Sequence, residues 1–159
     1  MRKLLSSFFI ILICCFMLIG CVKQIPLELL NKNKPNNFYY TNILAKNITL
    51  EKNYKCIAME SNFFKEKELS NENKIIIEKF LKLLNKKNFI NKPKDLPKNP
   101  IYKIFFKFKD NKYIINIYNE KYISIYPFDG KYPMDYIYIY DIPAAYNLLN
   151  LCNYIFKNY

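Results

Sequence analysis

Three sets of residues in this 159-residue sequence could do chemistry. The first is sulfur, at Cys14, Cys15, Cys21, Cys56 and Cys152. A thiolate is a nucleophile or metal ligand, two thiols can form a bridge, and a thiol can carry a lipid. The second is a ladder of phenols, Tyr136, Tyr138 and Tyr140, alternating with Ile137 and Ile139. Rings at every second position of a strand share one face. There they can stack on sugars, receive an extended peptide or form a protein interface. The third is carboxylate, with Asp129, Asp135 and Asp141 recurring every six residues. Asp135 and Asp141 flank one strand and lie about 20 Å apart at strand rise. That is too far for the paired acids of glycoside hydrolysis. Asp129-Gly130 suits a turn, and Asp141 suits a helix cap.

What is missing narrows the chemistry further. The chain has no His, which excludes Ser-His-Asp and Cys-His catalysis and His-ligated zinc. Cys56 and Cys152 therefore have no imidazole to activate a thiolate. Two Gly residues exclude a phosphate-binding glycine loop and a dinucleotide fingerprint. A calcium loop needs more oxygen ligands at closer spacing than the three Asp provide. No cofactor or metal is expected. The formal charge is +12, but Arg2 is the single Arg and the lysines are spread along the chain. Base recognition and a bidentate grip on phosphate favour the Arg fork, so no nucleic-acid partner is expected. Ile, Asn, Lys and Tyr make up 83 of the 159 residues, and all four have A/T-rich codons. The basic charge follows from that bias.

The elements that position these groups begin with a leader. Met1-Arg2-Lys3 is a positive start, and Phe8 to Ile19 is an apolar run of twelve, short for a membrane span. Leu18-Ile19-Gly20-Cys21 follows, and this stretch resembles the lipobox of bacterial lipoprotein signals. The resemblance implies cleavage after Gly20, diacylglycerol on the Cys21 thiol and acylation of the new amine. It places the remainder at the outer face of the cytoplasmic membrane, with the bilayer as partner through Cys21. An uncleaved helix over residues 4–22 is the alternative. The implied organisation is a signal over residues 1–20, a lipidated tether over 21–37 and one domain over 38–159. Cys56 and Cys152 then remain in an exported protein. They form either one disulfide closing roughly 100 residues, worth about 4–5 kcal/mol, or two buried small hydrophobes.

In the domain, residues 38–50 show no clear pattern, and Tyr54–Met59 reads as a strand. Ser70 or Asn71 caps a helix over residues 71–88 with Ile76, Ile77, Phe80, Leu81, Leu83 and Leu84 on one side. Pro93, Pro97 and Pro100 mark a stiff loop. Residues 101–109 and 112–118 read as a hairpin turning at Asp110-Asn111, which pairs Phe108 with Tyr113, Phe106 with Ile115 and Ile104 with Ile117. A third strand covers 121–126. A two-residue turn before it turns Tyr122 and Tyr126 to the core, and one residue more turns Ile123 and Ile125 there. A fourth strand spans 135–140. Asp141-Ile142-Pro143 opens a last helix carrying Ala145, Leu148, Leu149, Cys152, Ile155 and Phe156 at helical spacing.

The resulting fold class is α+β, with a four- to five-stranded antiparallel sheet packed on two helices in the order β-α-β-β-β-β-α. That order resembles the TATA-binding-protein-like and helix-grip topologies, a likeness of topology alone. The run from Phe128-Asp129-Gly130 through Asp141-Ile142-Pro143 to Tyr146-Asn147-Leu148 resembles a family of small uncharacterised lipoproteins from low-GC anaerobic bacteria. That family brings no known activity. The expected function is a non-catalytic module that engages a protein or a cell-wall polymer, with Tyr136, Tyr138 and Tyr140 as its surface. A wall-acting hydrolase is the first alternative, and would need a pair such as Glu60 and Asp129 to meet in a cleft. An accessory subunit of a membrane complex is the second, and would show a large exposed apolar patch.

Overall fold

The computed structural model describes residues 33–128 and 131–157. The leader, Cys21 and the tether up to residue 32 lie outside the described residues, as do Asp129 and Gly130.

The first helix, α1 (Tyr39–Leu50), buries Tyr40, Leu44 and Ile48, one face at steps of four. Strands β1 (Lys55–Glu60) and β2 (Lys65–Glu68) follow. The second helix, α2 (Asn71–Leu83), starts at Ser70, whose hydroxyl accepts the Asn73 N–H. Glu72 in its first turn and Lys82 in its last suit the helix dipole. Strands β3 (Phe89–Ile90), β4 (Tyr102–Lys107), β5 (Lys112–Ile117), β6 (Tyr122–Pro127) and β7 (Asp135–Tyr138) complete one antiparallel sheet in the order β2-β1-β4-β5-β6-β7-β3. The last helix, α3 (Leu148–Lys157), buries Leu148, Leu151, Cys152 and Ile155.

The α+β class holds, but the sheet has seven strands among the described residues, not four or five, and α1 precedes the first strand. The element order therefore departs from β-α-β-β-β-β-α. The reason is local. Strand β2 reads Lys-Glu-Lys-Glu and is largely exposed, so it carries no hydrophobic period. Charged, short strands are how a sheet protects its edges. β3 is only two residues long, at the other edge.

One face of the sheet meets all three helices. Cys56, Ala58, Ile104, Phe106, Ile115, Ile117, Ile123, Ile125 and Ile137 share a cluster with Tyr40, Leu44, Ile77, Phe80, Leu151 and Cys152. The hairpin register differs from the two-residue turn expected at Asp110-Asn111. Phe106 faces Tyr113 and Ile104 faces Ile115, across a loop closed by the Phe108 N–H on the Asn111 carbonyl. The offset is even, so the six apolar residues keep their common face. Between β5 and β6 three residues turn. Asn119 Oδ1 accepts the N–H groups of Lys121 and Tyr122, and Ile123 and Ile125 face the core.

Helix α2 stops at Leu83 instead of continuing to 88, because Leu84 is extended and Asn85 and Asn88 form a reciprocal cap on the next short turn. The last helix is capped by Asn147, whose Oδ1 accepts from Leu149 and Asn150, rather than by Asp141.

Candidate functional site

Strand β7 ends at Tyr138, short of the strand expected over residues 135–140, and Tyr140 lies in the turn that follows; the inward–outward alternation nevertheless runs on through Ile139 and Tyr140. Ile137 and Ile139 are fully buried against the helices, while Tyr136 and Tyr138 are half-buried and Tyr140 is 62% exposed. The tyrosines therefore lie on the face opposite the helices. Tyr138 forms an aromatic row with Tyr140 (centroids 6.3 Å) on one side and Tyr122 of β6 (6.1 Å) on the other. Tyr122 was not in the expected ladder. The odd turn before β6 brings it there, opposite Tyr138.

The proline-rich loop from β3 to β4 must return across β7, β6 and β5. Asp95 on that loop accepts the Tyr122 hydroxyl at 3.1 Å, which ties the loop to the tyrosine face. Tyr136 stands apart from the row, opposite Ser124. Ser124 is fully buried and is bonded to Asn116 Nδ2 at 3.1 Å. Burial, with Tyr118 adding to it, raises the Tyr136 pKa above the ordinary phenol value. Tyr140 is thus the most accessible ring of the three, and Tyr136 and Tyr138 are both half-buried.

Of the carboxylates singled out, Asp135, Asp141 and Glu60 lie apart, and Asp129, the partner a hydrolase would need for Glu60, lies outside the described residues. Asp135 is fully buried and is held by three groups. Its Oδ2 accepts the Thr41 N–H and the Thr41 hydroxyl, each at 2.7 Å, and its Oδ1 pairs with Lys34. The role of Asp135 is to clamp the start of α1 and the segment before it to β7. Asp141 is exposed. Glu60 ends β1, at the opposite end of the sheet from Asp135. No group of three metal-ligating side chains occurs among the described residues.

Cys56 and Cys152 are free and fully buried, one on β1 and one on α3. Burial pushes the Cys56 thiol from 9.0 up to about 12, against a lowering influence of Lys74. Burial, with Cys56 adding to it, does the same to Cys152. Both thiols are therefore poor nucleophiles. The sign for stability follows. Below pH 9 both states hold the proton and nothing changes. Between pH 9 and about 12 the unfolded chain ionises and the folded chain does not, so stability falls as pH rises. Each thiol contributes roughly a kcal/mol per pH unit in that window. Urea unfolding at pH 8 and pH 10 measures the fall, and a Cys56→Ala/Cys152→Ala variant should lose less over the same interval. An equal fall in both proteins would contradict the assignment.

A concavity, unsuspected from the sequence, opens between α1 and α2. It holds about 440 Å³ and is lined by Ala45, Ile48, Ile75 and Leu81 together with Lys52, Lys74, Lys82, Glu78 and Tyr54. Tyr54 is buried, packed on Phe108 (5.1 Å) and Phe106 (6.1 Å). Lys74 lies over its ring at 5.0 Å and donates to its carbonyl at 3.0 Å. Among the described residues the buried Tyr54 hydroxyl has no hydrogen-bond partner. Nothing in the spacing of residues 54 and 74 signals this meeting, because only the packing of α2 beside β1 creates it.

Comparison with known proteins places this geometry. Residues 34–152 match the family model described as Domain of unknown function (DUF4883). The chain is similar to the crystal structure of a candidate lipoprotein from Clostridium perfringens, with 36% identity and a TM-score of 0.70 over 79% of this chain and 99% of that one. No curated protein matches it.

Proposed function

The chain belongs to the DUF4883 family, and from that membership and its tyrosine face we propose a lipid-anchored, non-catalytic binding module at the outer face of the cytoplasmic membrane. Its anchor is Cys21, read from the lipobox-like leader. The likeness to a candidate lipoprotein from Clostridium perfringens supports the compartment. The observation that carries the binding role is the row Tyr122–Tyr138–Tyr140 on the helix-free face, closed at one end by a bonded loop and open at Tyr140.

The ligand class favoured by this surface is a cell-wall polymer. Tyr138 is tilted 54° to Tyr122 and 32° to Tyr140, so the row offers separate ring faces on which successive sugar rings of a curved polymer can stack. The sheet edges, in contrast, suit a peptide strand poorly, since β2 is short and charged and β3 has two residues. Neither Tyr138 nor Tyr140 is buried in the core, so their removal leaves the fold in place.

The test is co-sedimentation of the domain with purified cell walls from a low-GC anaerobe. Wild type should pellet, and Tyr138→Ala/Tyr140→Ala should bind about tenfold or more weakly, from about 1 kcal/mol per lost ring. Wild type that stays in the supernatant, or a variant that pellets equally well, would remove the wall-binding role.

A further inference from the structure

The turn between β1 and β2 carries the most exposed apolar pair among the described residues. Phe63 and Phe64 are each 78% exposed. Ile101 lies beside the turn and is itself exposed, its carbonyl accepting the Ser61 N–H at 2.9 Å. The backbone is unusual at the same place. Among the described residues Phe64 alone of the non-glycines has a positive φ, 51°. A bulky residue is an outlier in that region, which glycine or asparagine occupies at lower cost. Neither ring offsets that cost by packing, since neither belongs to the core. Strain kept at an exposed side chain points to a use outside the fold.

The surroundings of the rings narrow that use. Glu60, Ser61 and Asn62 precede them, and the Lys-Glu-Lys-Glu of β2 follows. The apolar surface therefore stops after Phe63, Phe64 and Ile101. A stable protein partner needs about 1,000 Å² or more of matched surface, which a hairpin tip does not supply. A lipid–water interface needs no such area. A few apolar side chains settle at the boundary of headgroup and acyl chain while the polar groups beside them stay in water.

The bilayer is also within reach, on the reading of Cys21 as a lipid anchor, on which this inference rests. The described domain begins beside β7, where Lys34 pairs with Asp135. β2 lies five strands away from β7 in the sheet, about 24 Å at strand spacing. The chain from residue 21 to residue 33 spans at most about 40 Å. A lipid on Cys21 and the tip of the turn can therefore meet one plane. The same separation keeps the tip clear of Tyr138 and Tyr140.

We propose that Phe63 and Phe64 form a second membrane contact, their rings seated at headgroup depth in the bilayer that holds Cys21. The lipid sets the distance of the domain from the membrane, and the phenylalanine pair sets which way it faces.

The test uses residues 21–159, with Cys21 coupled to a maleimide-bearing phospholipid in phosphatidylcholine liposomes that carry brominated chains. Cys56 and Cys152 are fully buried, so coupling is directed to Cys21. Coupling holds the protein at the surface whether or not cells lipidate it, so failure of the contact and failure of the anchor are separate results. The related Clostridium perfringens chain, 99% of which aligns with 79% of this one, crystallises as a folded domain. The sequence has no Trp, so Phe63→Trp supplies a single fluorescent reporter at the tip. On coupling, its emission should shift to the blue and lose about half or more of its intensity to the bromines. Leu50→Trp, also exposed but near the other end of β1, should lose less than about a tenth. Phe64→Gly, added to the Phe63→Trp chain, relieves the backbone, so Tm should hold or rise while quenching falls about twofold or more. Unchanged emission on coupling, equal quenching of Leu50→Trp, or unchanged quenching after Phe64→Gly would each overturn the contact. A blue shift that appears without liposomes and grows with protein concentration would place a second copy on the tip, and would overturn it too.

Discussion

Replacement of Asp135 by Ala is expected to cost about 3–5 kcal/mol of folding stability, the largest single-residue loss predicted for this domain. The side chain is fully buried, and three donors converge on it: the Thr41 N–H, the Thr41 hydroxyl and the Lys34 ammonium. Lys34 is itself only 12% exposed and lies over the Tyr40 ring at 5.2 Å. Deleting the carboxylate strands a nearly buried cation and a buried N–H at once. The cost is then the desolvation of both, not merely the loss of a bond. Asp135→Asn keeps an acceptor for Thr41 and should cost less. Urea denaturation reads the effect as a fall in midpoint with an unchanged slope. A loss under 1 kcal/mol for Asp135→Ala would show that Lys34 finds water and that the clamp is decorative.

Replacement of Cys21 by Ser should release the protein from the membrane altogether. Burying acyl chains contributes about 0.8 kcal/mol per CH₂, and stable anchoring takes two signals, as diacylglycerol plus an amide-linked chain provide. Without the thiol neither lipid can be added, and partition should fall by several orders of magnitude. Intact mass of membrane-extracted wild type should show loss of residues 1–20 and a gain of acyl mass. The Ser variant should retain its leader and carry no lipid. A Ser variant that is still cut after Gly20 and still sediments with membranes would refute the anchor. Cys21 lies outside the described residues, so this experiment bears on the chemistry of the leader alone.

The parts of the fold legible in the sequence were those with strong periodicity. The stripe Ile77, Phe80 and Leu81 announced α2, and Leu148, Cys152 and Ile155 announced α3. Strict alternation announced β7, though two residues too long, and put its tyrosines on one face; which face met the helices was left to the packing. Register was less accessible. An even slip leaves every face unchanged, so hydrophobic pattern could not separate the two-residue turn at Asp110-Asn111 from the longer loop observed. In α1 the buried face mixes Tyr40 and Thr41 with Leu44 and Ile48, and no side-chain cap marks its start. Strand β2 is made of alternating charges and is held by its partner β1 rather than by burial.

By itself the sequence determined the class of the fold, the common face of the alternating tyrosines, the lipobox-like leader and the exclusion of His-dependent chemistry. These depend on residue type and on spacing along a single element, which a linear string records in full. Tertiary structure alone decided the rest: Tyr122 beside Tyr138, Asp135 between Lys34 and Thr41, and Tyr54 beneath Lys74 in a cleft. Each of these joins residues from different elements. Their meeting depends on helix packing and strand register, and the energy that selects those is spread over the whole core and leaves no mark at any one position.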